Sequence, residues 1–270
     1  MGKHKGFTLI EITLFLAVTT ALFLGIALGV NNSILQQQYN DTTQSFFEFL
    51  RSIYSEVSNP QSVGKGDSNY AIYGKMIVFG ETVDLLGEKI PSSEQQIFVY
   101  DVIGEATTNN TGDIKSLLKD LGANVAFVAV SNKKITNISL ASPEKYAPHW
   151  SMGIETLEKT AMKKTILVVR HPRSGTINTL VYNNAIQVNK EVTKAQGTCI
   201  AKATCNAVTK LLGSRINDFE PAEVDFCINP YGLGGNGSIL RRNIRILENA
   251  RNASSVQLIE LNGGDNKCSK

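Results

Sequence analysis

The chain has 270 residues, 42% hydrophobic and 19% charged, with a formal charge of +3. That composition excludes a disordered polymer, and the length accommodates one large domain or two small ones. Lys3 and Lys5 supply two of the positive charges, so the remainder is nearly neutral and bulk charge gives no reason to expect nucleic-acid binding.

The first element is an apolar run from Phe7 to Val30 whose only charge is Glu11. As a helix it measures about 36 Å, enough to cross a bilayer core of about 30 Å. Lys3, His4 and Lys5 precede it, and uncharged Asn31, Asn32 and Ser33 follow, so the positive-inside rule places the N-terminus in the cytoplasm. A secretory signal peptide, cut near Ala27-Leu28-Gly29, is one reading; the run is long for that, and a carboxylate interrupts it. An uncleaved anchor is another. A carboxylate within an apolar span costs a few kcal/mol or more, which makes Glu11 a functional candidate.

Lys5-Gly6-Phe7-Thr8-Leu9-Ile10-Glu11 resembles the processing signal of type IV pilins and of the pilin-like proteins of type II secretion and DNA uptake. The close resemblance covers roughly residues 1–60. It implies that a membrane aspartic peptidase cuts between Gly6 and Phe7 and methylates the new amine of Phe7. It also implies other pilin subunits as partners, with membrane lipid around the helix before assembly. The physical chemistry agrees. Gly6 has no side chain to obstruct a peptidase. The cut creates an α-amine with an ordinary pKa near 8. Glu11 lies four residues from that amine on the same helical face, where it offsets the helix N-terminus or pairs with the amine of a neighbour. The competing reading is a Glu11 that merely snorkels toward headgroups. Many major pilins carry a proline midway along this helix, and this chain has none there, which points to a minor or specialised subunit.

Residues 31–58 contain no glycine or proline, and Phe46, Leu50, Ile53 and Val57 form one apolar stripe flanked by Phe47 and Tyr54. One helix from Phe7 to Ser58 is expected, stopped by Asn59-Pro60. Strands are expected at Tyr70–Phe79, Gln96–Val102, Asn124–Val130, Ile135–Leu140, Thr165–Arg170, Thr176–Tyr182, Val224–Ile228, Asn243–Leu247 and Val256–Leu261, all rich in β-branched or aromatic residues. His171–Gly175 reads as a hairpin turn, and Ile114–Leu121 and Ala203–Leu212 as short helices. The fold class is therefore α+β: a long N-terminal helix on a largely antiparallel sheet. The organisation is a leader over 1–6, a membrane and assembly half over 7–30, an amphipathic half over 31–60, and an extracytoplasmic β-rich domain over 61–270.

Cys199, Cys205, Cys227 and Cys268 allow three connectivities. The expected pairs are Cys199–Cys205 and Cys227–Cys268, the second tying down a C-terminal tail. A zinc site is the alternative, although the spacer between Cys199 and Cys205 suits it poorly. Gly232–Gly237 fits G-x-G-x-x-G, but the alternating segment after it reads as a strand, so a plain loop is expected. His149 and His171 lie beside prolines with no nucleophile spacing near them, and His4 is in the leader. Arg241, Arg242, Arg245 and Arg251 are either a contact for nucleic acid, as DNA-uptake filaments would need, or a solvated outer strand face; the second is expected. No enzyme activity, metal or cofactor is expected. The resulting reading is a filament subunit with roles in adhesion, motility or DNA uptake. The alternative is a membrane-anchored binding protein or adhesin that never polymerises.

Overall fold

The computed structural model describes residues 8–59, 70–80, 95–105, 113–116, 124–125, 144–188, 215–230, 242–259 and 267–269. Helix α1 occupies Leu9–Ser58, 50 residues or about 75 Å. Its start is set by a capping box. The Glu11 N–H donates to Thr8 Oγ1 at 3.4 Å, and the Thr8 N–H donates to Glu11 Oε2 at 2.8 Å. The helix therefore begins two residues later than the Phe7 expected from hydropathy, because Thr8 adopts the extended conformation of a cap. It ends at Asn59, also extended, whose N–H reaches the Glu56 carbonyl.

The strands form two antiparallel sheets. The larger contains β1 (Tyr70–Phe79), β2 (Ile97–Glu105), β3 (Asn124–Val125), β4 (Glu144–Tyr146), β6 (Thr165–Arg170) and β7 (Ile177–Tyr182). Its order is β3-β2-β1-β6-β7, with β4 pairing the same strand, β2, that pairs β3. The smaller contains β5 (Gly153–Glu155), β8 (Val224–Asn229), β9 (Arg242–Ile246) and β10 (Val256–Ile259), in the order β10-β9-β8-β5. The α+β plan is thus present. Expected strands at 126–130 and 135–140, the helix at Ala203–Leu212 and the glycine-rich Gly232–Gly237 lie outside the described residues. Of the helix expected at Ile114–Leu121, only Ile114–Ser116 is described, and it is helical.

The second half of α1 lies between the two sheets. Phe46, Leu50 and Tyr54 are fully buried, and Ile53 and Val57 nearly so. They share one core with Ile77, Phe79, Ile97, Ile166 and Val168 of the large sheet and Val224, Phe226, Ile228, Ile244 and Ile246 of the small one. Burying each such side chain stabilises the fold by about 1.5–3 kcal/mol relative to exposure. The large sheet has a second apolar face, where Met76, Val78, Leu167, Val169 and Leu180 meet Ile186, Val188, Ile216 and Phe219. Burial on both faces explains why β6 reads "TILVVR", a continuous apolar run rather than an alternating one.

Aromatic rings fill the junction of helix and sheets. Phe46 meets Phe226 edge-on at 5.4 Å, and Tyr146 stacks on Phe49 at 4.3 Å. Near Tyr39 the helix is pinned by the Tyr39 hydroxyl, which donates to the Ile228 carbonyl at 3.3 Å and accepts from the Arg242 N–H. At the other end Arg170 donates to the Ser58 carbonyl at 2.7 Å, and Lys75 bridges Glu56 and Asp101 at 3.1 and 2.8 Å. Burial would lower the Lys75 ammonium, but the two carboxylates together hold it above its ordinary value. The domain therefore has a Tyr39 pole and a Ser58 pole.

Where β1 bulges between Ile72 and Gly74, its backbone runs hard against β6. A Cβ on Gly74 would lie 2.1 Å from the Val168 carbonyl oxygen, so no other residue fits without movement.

Candidate functional site: the apolar half of the helix

Residues Leu9–Ile26 form a stretch long and apolar enough to cross a membrane, and none of it is buried against the rest of the chain. Leu9, Phe15 and Phe23 are 82%, 69% and 76% exposed, and large apolar side chains stay exposed as far as Leu35. The polar side chains within the stretch are satisfied locally. Thr13 donates to the Ile10 carbonyl at 3.0 Å, Thr19 to Phe15 at 2.9 Å and Thr20 to Leu16 at 2.7 Å. Every hydroxyl turned back on its own helix is one fewer unpaired donor in an apolar surrounding.

Glu11 is the one ionisable group in this stretch, and it sits in the first turn. Its Oε2 accepts both the Thr8 N–H at 2.8 Å and the Thr8 hydroxyl at 3.0 Å. A carboxylate offers about four acceptor positions. Two are used on Oε2, and the exposed group keeps Oε1 for a further donor. Position and geometry together give a fixed negative charge at the N-terminal tip of a bare apolar rod. Gly6 and Phe7 lie outside the described residues. Thr8 was the residue that hydropathy alone missed; Thr8-x-x-Glu11 is the sequence signature that marks it.

The remaining candidates are placed as follows. Cys227 and Cys268 form the expected disulfide, with Cα atoms 5.5 Å apart. Cys199 and Cys205 lie outside the described residues. The disulfide lays the turn Lys267–Ser269 on the outer face of the small sheet, the face away from α1. There Arg245 and Asn243 on β9 donate to Asp225 Oδ1 on β8 at 2.7 and 2.9 Å, and Lys267 reaches Asp225 Oδ2 at 3.1 Å and Glu223 at 2.6 Å. Burial would raise the Asp225 carboxyl, but Arg245, Asn243 and Lys267 hold it below its ordinary value. The expected solvated arginine face is therefore corrected at Arg245. Its side chain is only 12% exposed, because Asp225, Glu223 and the tethered tail cover it. Arg242 lies over the Tyr39 ring at 5.8 Å, Arg251 is exposed, and Arg241 is outside the described residues.

His171 accepts the N–H groups of Arg173 and Ser174 within the expected hairpin turn, and Gly175 closes that turn at φ +70°. The His149 carbonyl accepts from Thr42 of α1 at 3.3 Å. An open cleft of about 500 Å³ beside the 156–164 loop is lined by Thr156, Thr160, Glu158, Lys163, Lys164, Glu223 and Asp225 among others. No group of three His, Cys, Asp or Glu side chains suited to a metal occurs among the described residues.

Trp150 was not singled out by the sequence. It holds a left-handed backbone, φ 59° and ψ 29°, which costs about 1–3 kcal/mol for a bulky residue. It is also 61% exposed.

No protein-family model matches the chain, and neither a curated protein nor a solved structure matches it. The class defined by fold and site is thus an α+β protein with one N-terminal apolar helix able to cross a membrane.

Proposed function

We propose that this chain is a pilin-like filament subunit, made as a precursor, cut between Gly6 and Phe7, and polymerised through α1. The observation that carries the reading is the division of one continuous helix. Its second half is sealed into the domain core, while its first half is bare, apolar and tipped by the single carboxylate of Glu11. A bare apolar rod needs lipid or other rods around it.

Before assembly, lipid surrounds Leu9–Ile26, with the N-terminus in the cytoplasm and the domain outside. Peptidase cleavage exposes the Phe7 amine, which is then methylated. Thr8 fixes Glu11 through Oε2, and Oε1 receives the Phe7 amine of a neighbour. That charge pair sets the axial stagger as helices leave lipid and pack together. Away from water a charge left without its partner costs about 3–5 kcal/mol, so the pairing penalises wrongly staggered subunits. The absence of a mid-helix proline supports a minor or specialised subunit.

The test is to shear cells and assay surface filaments for the chain. Wild type is expected in the sheared fraction. Glu11→Ala is expected to be lost from it while remaining in the membrane fraction. Equal recovery of both proteins from the sheared fraction would overturn the proposed role of Glu11.

A further inference from the structure

The outer edge of the large sheet carries a notch of about 180 Å³. Its floor is β7, which ends the order β3-β2-β1-β6-β7, at Asn178, Thr179 and Leu180. Alternation along β7 gives that floor its chemistry. Val181 exchanges both main-chain hydrogen bonds with Glu220, at 2.7 and 3.0 Å, on the side away from β6. The N–H and carbonyl of Thr179, two residues earlier, point to the same outer edge. Pro221 follows Glu220 and has no N–H, so the pairing stops at this one bridge, short of Thr179.

The two walls come from opposite faces of the sheet. On the face that packs on α1 stands the turn Asn249–Arg251, whose Ala250 carbonyl accepts from Thr179 Oγ1 at 2.9 Å. On the other face stand Asp113, Ile114 and Lys115, with Ile114 in the same apolar cluster as Leu180. Each wall thus brings one cation to the lining, Arg251 and Lys115. Neither forms an ion pair among the described residues. Together they outnumber Asp113, the one carboxylate among the lining residues. Walls on both sides keep part of the solvent away, so charges act more strongly here than on an open face. Two cations with a main-chain N–H between them are a donor set suited to a carboxylate. The space is smaller than a drug-sized pocket and takes a carboxylate with a few carbons.

We propose that the β7 notch binds a carboxylate, clamped between Lys115 and Arg251, with the Thr179 N–H donating to it from the floor. The carboxylate belongs to a small free acid or to an acidic side chain of a peptide. The site stands whether or not α1 polymerises.

The full chain in detergent micelles is titrated with succinate and with acetyl-Gly-Asp-Gly-amide, and binding is read by saturation-transfer NMR. Acetyl-Gly-Asn-Gly-amide is the neutral control. Saturable binding of an acid, and none of the control, is expected. Succinate binding assigns a free acid; binding of the aspartyl peptide alone assigns a side chain. Lys115→Gln and Arg251→Gln should each weaken it about tenfold. Salt should weaken it too. Asp113→Asn should tighten it by removing the repelling charge, a gain that misfolding cannot mimic. Acid binding unchanged by the double variant Lys115→Gln/Arg251→Gln, or matched by the neutral control, would overturn the site. So would the absence of saturable binding to a chain with an intact far-ultraviolet circular dichroism spectrum.

Discussion

The hydroxyl relay joining α1 to β7 and to the turn between β9 and β10 gives the sharpest energetic prediction. Tyr54 Oη lies 2.8 Å from Thr179 Oγ1, and Thr179 Oγ1 donates to the Ala250 carbonyl at 2.9 Å. A threonine hydroxyl has one proton, and a carbonyl can only accept, so Tyr54 must be the donor in the first bond. Burial pushes the Tyr54 phenol far above its ordinary range, so it stays neutral and able to donate at any working pH. Tyr54→Phe removes one donor and leaves Thr179 bonded to Ala250; the expected cost is about 1 kcal/mol. Thr179→Val strands both the Tyr54 hydroxyl and the Ala250 carbonyl in the core, at about 1–3 kcal/mol each. The double variant strands only the carbonyl. It should therefore be no less stable than Thr179→Val alone, with a coupling of about 2–4 kcal/mol between the sites. Urea unfolding of the full chain in detergent, followed by circular dichroism, measures all four proteins. Strictly additive losses would refute the relay.

Three further outcomes follow from the described contacts. Asp225 has a folded-state pKa below its unfolded value, so its contribution is present at neutral pH and is lost as pH falls below about 4. Asp225→Asn should flatten that acid limb of the stability–pH curve and cost about 3 kcal/mol at pH 7, because Arg245 loses its closest partner. Gly74→Ala should destabilise by about 3 kcal/mol or more, measured by the urea midpoint, because the nearest atoms the new methyl meets belong to the β6 backbone. Loss of the Cys227–Cys268 bridge through Cys268→Ser opens a loop with a sequence separation of 41, worth about 4 kcal/mol by chain entropy. The same change should raise proteolysis of the C-terminal tail in a time course read by mass spectrometry.

Much of this architecture was legible in the sequence, for reasons that differ by element. β1 and β6 fall at the expected residues because both are long β-branched runs with no competing helical period. The stripe Phe46, Leu50, Ile53 and Val57 named the buried helix face, but Tyr54, expected beside it, is fully buried. Its hydroxyl finds its partner, Thr179, on the distant strand β7, which periodicity cannot show. β4 and β5 were missed: each is three residues long, and their sequences, Glu-Lys-Tyr and Gly-Ile-Glu, carry no alternation. Pairing to β2 and β8 makes them strands, and the side chain of Gln95 completes the β5 edge by bonding both the N–H and the carbonyl of Ile154. Arg245 was misjudged because the register that brings Asp225 opposite it is a tertiary fact. Within the site, Glu11 was visible as a charge in an apolar run, whereas Thr8 was read through the resemblance and not as a cap. Trp150 had no signal beyond its rarity, since a strained φ is not written in composition.

The central claim is that processing creates the end on which Glu11 acts. Intact mass and N-terminal sequencing of the chain from the membrane and sheared fractions test it most directly. The account predicts a mature protein that begins at Phe7 and carries one methyl group on its amine. A chain that keeps Met1, or one that begins near Val30 with the apolar half removed, would contradict it.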